Sequence, residues 1–306
     1  MKFLIDRKNF PKYQRIVEQF SKKEIPDEII YICDKIKDDI SINGNNSFKK
    51  DYIFGSYKFS IIIDYYKNNK NKYSSEIDMI DILNNVFQNE EYLIKIPIEI
   101  NSEKIDYNRT LSIIAHEIRH VYDILNTSEL EIKDFAKKRN LNGFKNTIIY
   151  KFIFQIYVTL EHELIARNNM IYPSFRWSGE KQKNYIIKKY KETYTYTSLI
   201  DLKNFDHLKF INNKDEKELL LITNEFIKQF SNGDFCNTKK DLINYYKEWE
   251  IFFKNKSDEY LKYAQYEIDR VFNDISTNKI YENNKLFNHD DLNFNLEKIF
   301  DKLIKS

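Results

Sequence analysis

Two of the five histidines in this 306-residue chain fall in one run, His116-Glu117-Ile118-Arg119-His120. Helical positions four apart are separated by about 40° around the axis, so His116 and His120 leave one face and can reach a single ion. Glu117 follows about 60° beyond His120 on that side, where a carboxylate can touch water at the ion without ligating it. With five histidines and 24 glutamates available, such a run is a chance event of about 0.6 per cent. The pattern points to divalent-metal chemistry, zinc first, with Glu117 as proton acceptor. The competing reading makes both histidines helix-surface or satisfied core residues, with Glu117 paired to Arg119 or Arg109.

Zinc in a catalytic site takes three protein ligands and leaves a fourth position for water, so a third donor is required. The segment Glu161-His162-Glu163-Leu164-Ile165-Ala166-Arg167 offers three. With Ile149 as the origin of a helical projection, Glu163 falls at about 320°, within the apolar stripe of Ile149, Phe152, Ile153, Ile156 and Leu160. Glu161 falls at about 120° and His162 at about 220°, away from that stripe. Glu163 is the carboxylate that must point inward, and coordination to a cation is one way to offset its burial. An ion pair with Arg167, one turn on, is the other, and Arg167 can also hold a metal-bound Glu163 from outside. Glu161 and His162 remain the alternative third donors. Asp123, one turn after His120, either orients a ligand imidazole or is an exposed helix residue.

These side chains need a helix, a cover for it and a later helix. Apolar residues at Leu111, Ile114, Ala115, Ile118, Tyr122 and Leu125 predict the first, with both imidazoles roughly opposite the stripe. Ile113 and Ile124 share the imidazole side, so the helix is apolar nearly all round and its His-Glu face is sheltered. Upstream, Ile94, Ile96, Ile98 and Ile100 alternate with Leu93, Lys95, Pro97 and Glu99, which predicts a strand. Pro97 and the charges beside it place that strand at a sheet edge. Runs 52–54 and 57–66, joined at Gly55-Ser56, predict a hairpin after an opening helix that ends near Lys37.

Beyond residue 105 the pattern is helical. Stripes recur at Leu219, Ile222, Phe226 and Phe230, closing at Gly233, and at Leu261, Ala264, Ile268, Val271, Phe272 and Ile275. Leu242, Tyr245, Tyr246, Trp249, Phe252 and Phe253 also have helical spacing and read as core. Only five glycines and four prolines occur, which excludes turn-dense all-β and linker-rich architectures. The fold class is α+β, predominantly helical: a small mixed sheet and an active-site helix in residues 1–172, then an all-helical region over 173–306. Pro173 and Gly179 mark the boundary.

The run at 116–120 and the later carboxylate together resemble the zincin metallopeptidases of gluzincin type, which carry His-Glu-x-x-His on one helix and a Glu on a later one. The resemblance covers about residues 50–170. It implies Zn2+ held by His116, His120 and Glu163, with Glu117 as general base in peptide-bond hydrolysis. Glu163-Leu164-Ile165-Ala166 is similar to the Glu-x-x-Ala around that ligand in several small zincins; where several of them continue with Asp or Asn, this chain has Arg167. A metzincin would place Gly and His where this chain has Asp123 and Asn126. The strand 92–100 matches the edge strand lining the family's cleft, which implies an extended peptide or protein substrate bound by strand addition. Small zincins of this kind occur in AT-rich bacteria and their phages, and Lys, Asn, Ile, Tyr and Phe are abundant here beside four alanines.

A catalytically silent zincin-like protein of a larger assembly, such as a virion, is the reading from another class. The C-terminal helical region would then meet an assembly partner. A general base beside an open coordination position favours the enzyme. The formal net charge of +2 excludes a polyanion binder acting by bulk charge, and the Lys-rich pairs are dispersed among acids, so no nucleic-acid partner is expected. No stretch is apolar enough for a signal peptide or membrane span, which predicts a cytoplasmic or phage-associated protein without a membrane partner. Cys33 and Cys236 read as buried free thiols, and His207 and His289 as surface residues with no nearby ligand partner.

Overall fold

The computed structural model describes residues 25–43, 46–54, 57–68, 70, 72–75, 92–125, 141–144, 146–178, 180, 182–230 and 234–280. Helix α1 (Asp27–Asn43) starts after Pro26 with Asp27 and Glu28 in its first turn, where carboxylates complement the helix dipole. Its buried residues, Ile29, Ile30, Ile32, Cys33, Ile36 and Ile40, recur at helical spacing and form one face. Strands β1 (Phe48–Phe54) and β2 (Tyr57–Tyr66) make the expected antiparallel hairpin, with Phe54 opposite Tyr57. Strands β3 (Lys72–Ser75) and β4 (Tyr92–Asn101) complete a four-stranded mixed sheet in the order β1-β2-β4-β3.

Strand β4 alternates as its sequence predicts, with Ile94, Ile96, Ile98 and Ile100 buried and Lys95, Pro97 and Glu99 exposed. Its parallel register with β2 pairs Phe59 with Ile94, Ile61 with Ile96 and Ile63 with Ile98, so the buried side chains of both strands form aligned rows. The edge position expected from Pro97 does not hold. β3 pairs antiparallel with β4 from Ser75–Ile98 to Lys72–Asn101. Among the described residues that ladder ends one residue past Pro97, which has no N–H to extend it.

Helix α2 (Tyr107–Leu125) carries the His-Glu-x-x-His run and packs against α1, β3 and β4. Its start is held firmly. The Asp106 carboxylate accepts the Arg109 N–H at 3.0 Å as a cap, and the Tyr73 hydroxyl of β3 accepts the Asp106 N–H at 2.7 Å. The Arg109 guanidinium sits over the Tyr73 ring, 4.2 Å from its centroid. The helix is buried along most of its length, including Leu111, Ile113, Ile114, Ala115 and Ile118, so the sheltered setting read from its apolar circumference is present.

The remaining helices are α3 (Tyr150–Val158), α4 (Glu161–Asn169), α5 (Ile171–Arg176), α6 (Lys183–Tyr190), α7 (Tyr194–Lys203), α8 (His207–Asn212), α9 (Glu216–Phe230) and α10 (Lys239–Ser276). The α+β, mostly helical class is thus as expected. Pro173 lies in the first turn of α5, where its missing N–H has no helical partner to lose. No described helix is long and apolar enough to cross a membrane. The opening helix before residue 25, Gly233 and His289 lie outside the described residues.

The chain divides into two compact units. Of the described residues, the first unit takes those within Leu130–Leu164 and Lys189–Gln265, and the second those within Glu24–Glu129, Ile165–Lys188 and Tyr266–Ser306. In the first, the Phe152 ring lies 4.9 Å from Tyr246, 5.3 Å from Trp249 and 5.9 Å from both Phe226 and Phe210, in tilted and edge-to-face geometries. The aromatic stripe of α10 is therefore core. Cys236 is buried here as a free thiol, pushed up to about 11 by burial and by the nearby Asp241 charge. In the second unit α1 is tied by Trp177 Nε1 to Asp34 at 2.6 Å and by Glu267, whose carboxylate accepts the Ile25 N–H at 2.7 Å. Cys33, also free and buried, is raised further by burial and the Asp34 charge. Phe152→Ala removes the ring shared by most of the first unit's aromatic cluster and should cost about 3–5 kcal/mol in chemical denaturation.

Candidate metal centre

Helix α2 projects His116 and His120 from one face, with His116 Nε2 3.1 Å from His120 Nε2 and the ring planes at 84°. Tetrahedral zinc with bonds of about 2.0–2.1 Å holds two ligand atoms about 3.3 Å apart, so this spacing suits a common ion. Two imidazole lone pairs this close repel unless a proton or a cation lies between them. Glu117, one residue after His116, is buried at 6 % exposure, and His120 likewise at 6 %.

Arg119, between the two histidines, is fully buried. Its Nε donates to Asp123 Oδ1 at 2.7 Å and its Nη1 to Asn169 Oδ1 at 3.1 Å. The first contact answers the question left open for Asp123: its half-buried carboxylate neutralises a buried guanidinium one turn back. The second joins α2 to the last residue of α4, the helix on which Glu163 stands. Tyr122 is raised above its ordinary value by burial and the Glu28 charge, with Arg119 opposing, and stays a neutral phenol.

The continuous helix from Ile149 through Arg167 assumed in the helical projection is interrupted. α3 closes at Thr159, whose N–H reaches Gln155 O at 3.1 Å and Ile156 O at 3.0 Å, and α4 opens with Leu164 N on Leu160 O at 3.0 Å. The inward direction of Glu163 nevertheless holds, since it is only 1 % exposed. Its Oε1 accepts from the Tyr157 hydroxyl at 2.7 Å and lies 3.7 Å from His162 Nε2. Glu161 is engaged elsewhere: the half-buried carboxylate takes Lys256 Nζ at 2.9 Å. Burial and the nearby Glu161 charge both push Tyr260 well above its ordinary value, so it stays a neutral phenol. This leaves Glu161 poorly placed as a third ligand.

The division between the two units falls inside α4, between Leu164 and Ile165. His116, His120 and Glu163 each offer a ligand atom, all within 4.8 Å of one another. A proton shared by two imidazoles would account for the histidine spacing alone. It does not call for a buried carboxylate in the same sphere, whereas two nitrogens and one oxygen form a familiar zinc donor set. These residues could hold a metal ion. No known family, curated protein or solved structure matches the chain.

A second grouping, Asp206, His207 and Glu250, also falls within 4.8 Å. It corrects the reading of His207 as a surface residue without a partner. His207 Nδ1 lies 2.6 Å from Glu250 Oε2, which also accepts the His207 backbone N–H at 3.0 Å. The Asp206 carboxylate caps α8 on the Lys209 N–H at 2.9 Å. Both carboxylates are thereby used in starting a helix. The signal was present as an Asp immediately before a short apolar run, but a partner 43 positions away is not legible in sequence.

Burial acts to raise the Glu250 carboxyl, yet the backbone hydrogen bond, ring hydrogen bond and charge of His207 together bring it below its ordinary value of 4.5. A carboxylate depressed by folding stabilises the native state above its unfolded value and loses that contribution as pH falls through its folded value. Glu250→Gln should therefore melt below wild type at about pH 7, and the difference should shrink as pH falls through the acidic range, as read by thermal melts.

Proposed function

We propose that the chain is a zinc-dependent metallopeptidase, and the convergence of His116, His120 and Glu163 beside a buried Glu117 is the observation that carries the reading. His116 and His120 would hold the ion through Nε2 and Glu163 through a carboxylate oxygen. Zinc bound there supplies Lewis acidity, which makes water a competent nucleophile near neutral pH and polarises the peptide carbonyl. Glu117 accepts the proton from the attacking water at its carboxylate and returns it to the leaving amine nitrogen, the work of a general base that then acts as general acid. Its place on α2, one residue from a ligand and largely out of solvent, supports that role. Arg119, Asp123 and Asn169 hold α2 and the end of α4 together, which limits drift of the ligand-bearing helices.

The substrate in this reading is an extended peptide or protein segment. Main-chain pairing with a strand near α2 would bind it with little dependence on sequence.

The reading is tested by metal content of the purified protein together with chelator-sensitive cleavage of an unfolded protein. Wild type should carry one zinc per chain and cleave. Glu117→Gln should keep the zinc and lose about 10²–10⁴-fold in kcat, whereas His120→Ala should lose the metal itself. Stoichiometric zinc without cleavage by wild type would instead favour the silent assembly protein, and absence of zinc would remove both.

A further inference from the structure

The Tyr157 hydroxyl donates to Glu163 Oε1 at 2.7 Å, although the two residues are six positions apart. In an unbroken helix that separation turns a side chain by about 240° and advances it by about 9 Å, which puts the pair on different faces. The break between α3 and α4 removes this obstacle. Thr159 Oγ1 donates to Ile156 O at 2.7 Å and the Leu160 N–H reaches Tyr157 O at 3.2 Å, so the chain closes tightly just after Tyr157 and restarts before Glu163. The interruption thus accomplishes something specific: it folds a phenol back onto a buried carboxylate.

From this geometry we infer that Tyr157 is the positioning residue for the third metal ligand. The inference rests on the proposed zinc site and adds a residue to it. A glutamate side chain has three rotatable torsions, and an ion that captures it from solvent must first order them. The phenol orders the Glu163 carboxylate in advance by fixing one of its oxygens. The Tyr157 ring has its own anchor, stacked on Phe154 at 6.3 Å between centroids and 28° between planes. Removal of the hydroxyl therefore leaves the ring held.

Two other roles make different predictions. If the bond only satisfied a buried carboxylate, or competed with an ion for its lone pairs, loss of the hydroxyl would leave zinc affinity unchanged or raise it. If Tyr157 acted on substrate, kcat would fall even with the site fully loaded.

The experiment measures zinc affinity of full-length wild type and Tyr157→Phe by competition with a chromogenic chelator. Peptide cleavage is then followed at saturating zinc, and both zinc-free proteins are melted. Positioning predicts a loss of about 10–100-fold in zinc affinity for Tyr157→Phe, with kcat restored to near wild type once the site is filled. Equal or tighter binding by the variant overturns the inference and leaves the zinc site standing. A kcat that stays low at saturating zinc also overturns it, in favour of a catalytic phenol. A weaker affinity matched by a large drop in melting temperature of the zinc-free variant assigns the effect to folding and counts against positioning; Phe154→Leu, which loosens the ring but keeps the hydroxyl, should then reproduce it. Wild type that binds no zinc removes the site and the inference together.

Discussion

A carboxylate taken out of water must meet positive charge or strong donors, or else give up its own charge, and Glu163 at 1 % exposure is under that constraint. Tyr157 supplies one donor. Two imidazole nitrogens within 4.8 Å supply the rest of a donor set that a divalent ion would complete. The same reasoning applies to Glu117, buried one residue from a histidine of that set. Charged groups in these positions are costly as packing elements, and their grouping makes sense as a site.

The chain handles its other buried charges differently. Arg119 is given a carboxylate one turn along its own helix and an amide oxygen on α4, so the guanidinium is both neutralised and used as a tie. Lys256, on α10, is flanked by Glu161 at 2.9 Å and Glu259 at 3.3 Å. Each of these cations has a protein anion close enough to pair with. Even the seat of α2 follows the pattern, since its first turn is capped by Asp106 and braced by Tyr73. Around the candidate centre His116, His120 and Glu163 bring ligand atoms within 4.8 Å of one another.

Much of this was legible in the residues because the governing rules are local. The period-two isoleucines of β4 and the 3.6-residue stripe of α2 each report one buried face, and Ile94, Ile96, Ile98 and Ile100 on the one and Leu111, Ile114, Ala115 and Ile118 on the other are buried as read. The inward direction of Glu163 was also recovered, although the helix assumed in deriving it breaks at Thr159–Leu160. The apolar neighbours Leu164, Ile165 and Ala166 bury that stretch whichever helix they count from. What escaped depends on partners distant in sequence. Pro97 reads as an edge marker because Lys72–Ser75, its strand's neighbour, carries no periodic signal of its own. His207 reads as a surface residue because its partner Glu250 lies on another helix, and a continuous helix would put Tyr157 and Glu163 on different faces.

Whether one ion joins the three side chains is read by anomalous diffraction at the zinc absorption edge from crystals grown with stoichiometric zinc. A single strong peak is expected within about 2.0–2.2 Å of His116 Nε2, His120 Nε2 and a Glu163 oxygen. A peak at Asp206, His207 and Glu250 instead, or none near α2, would contradict it.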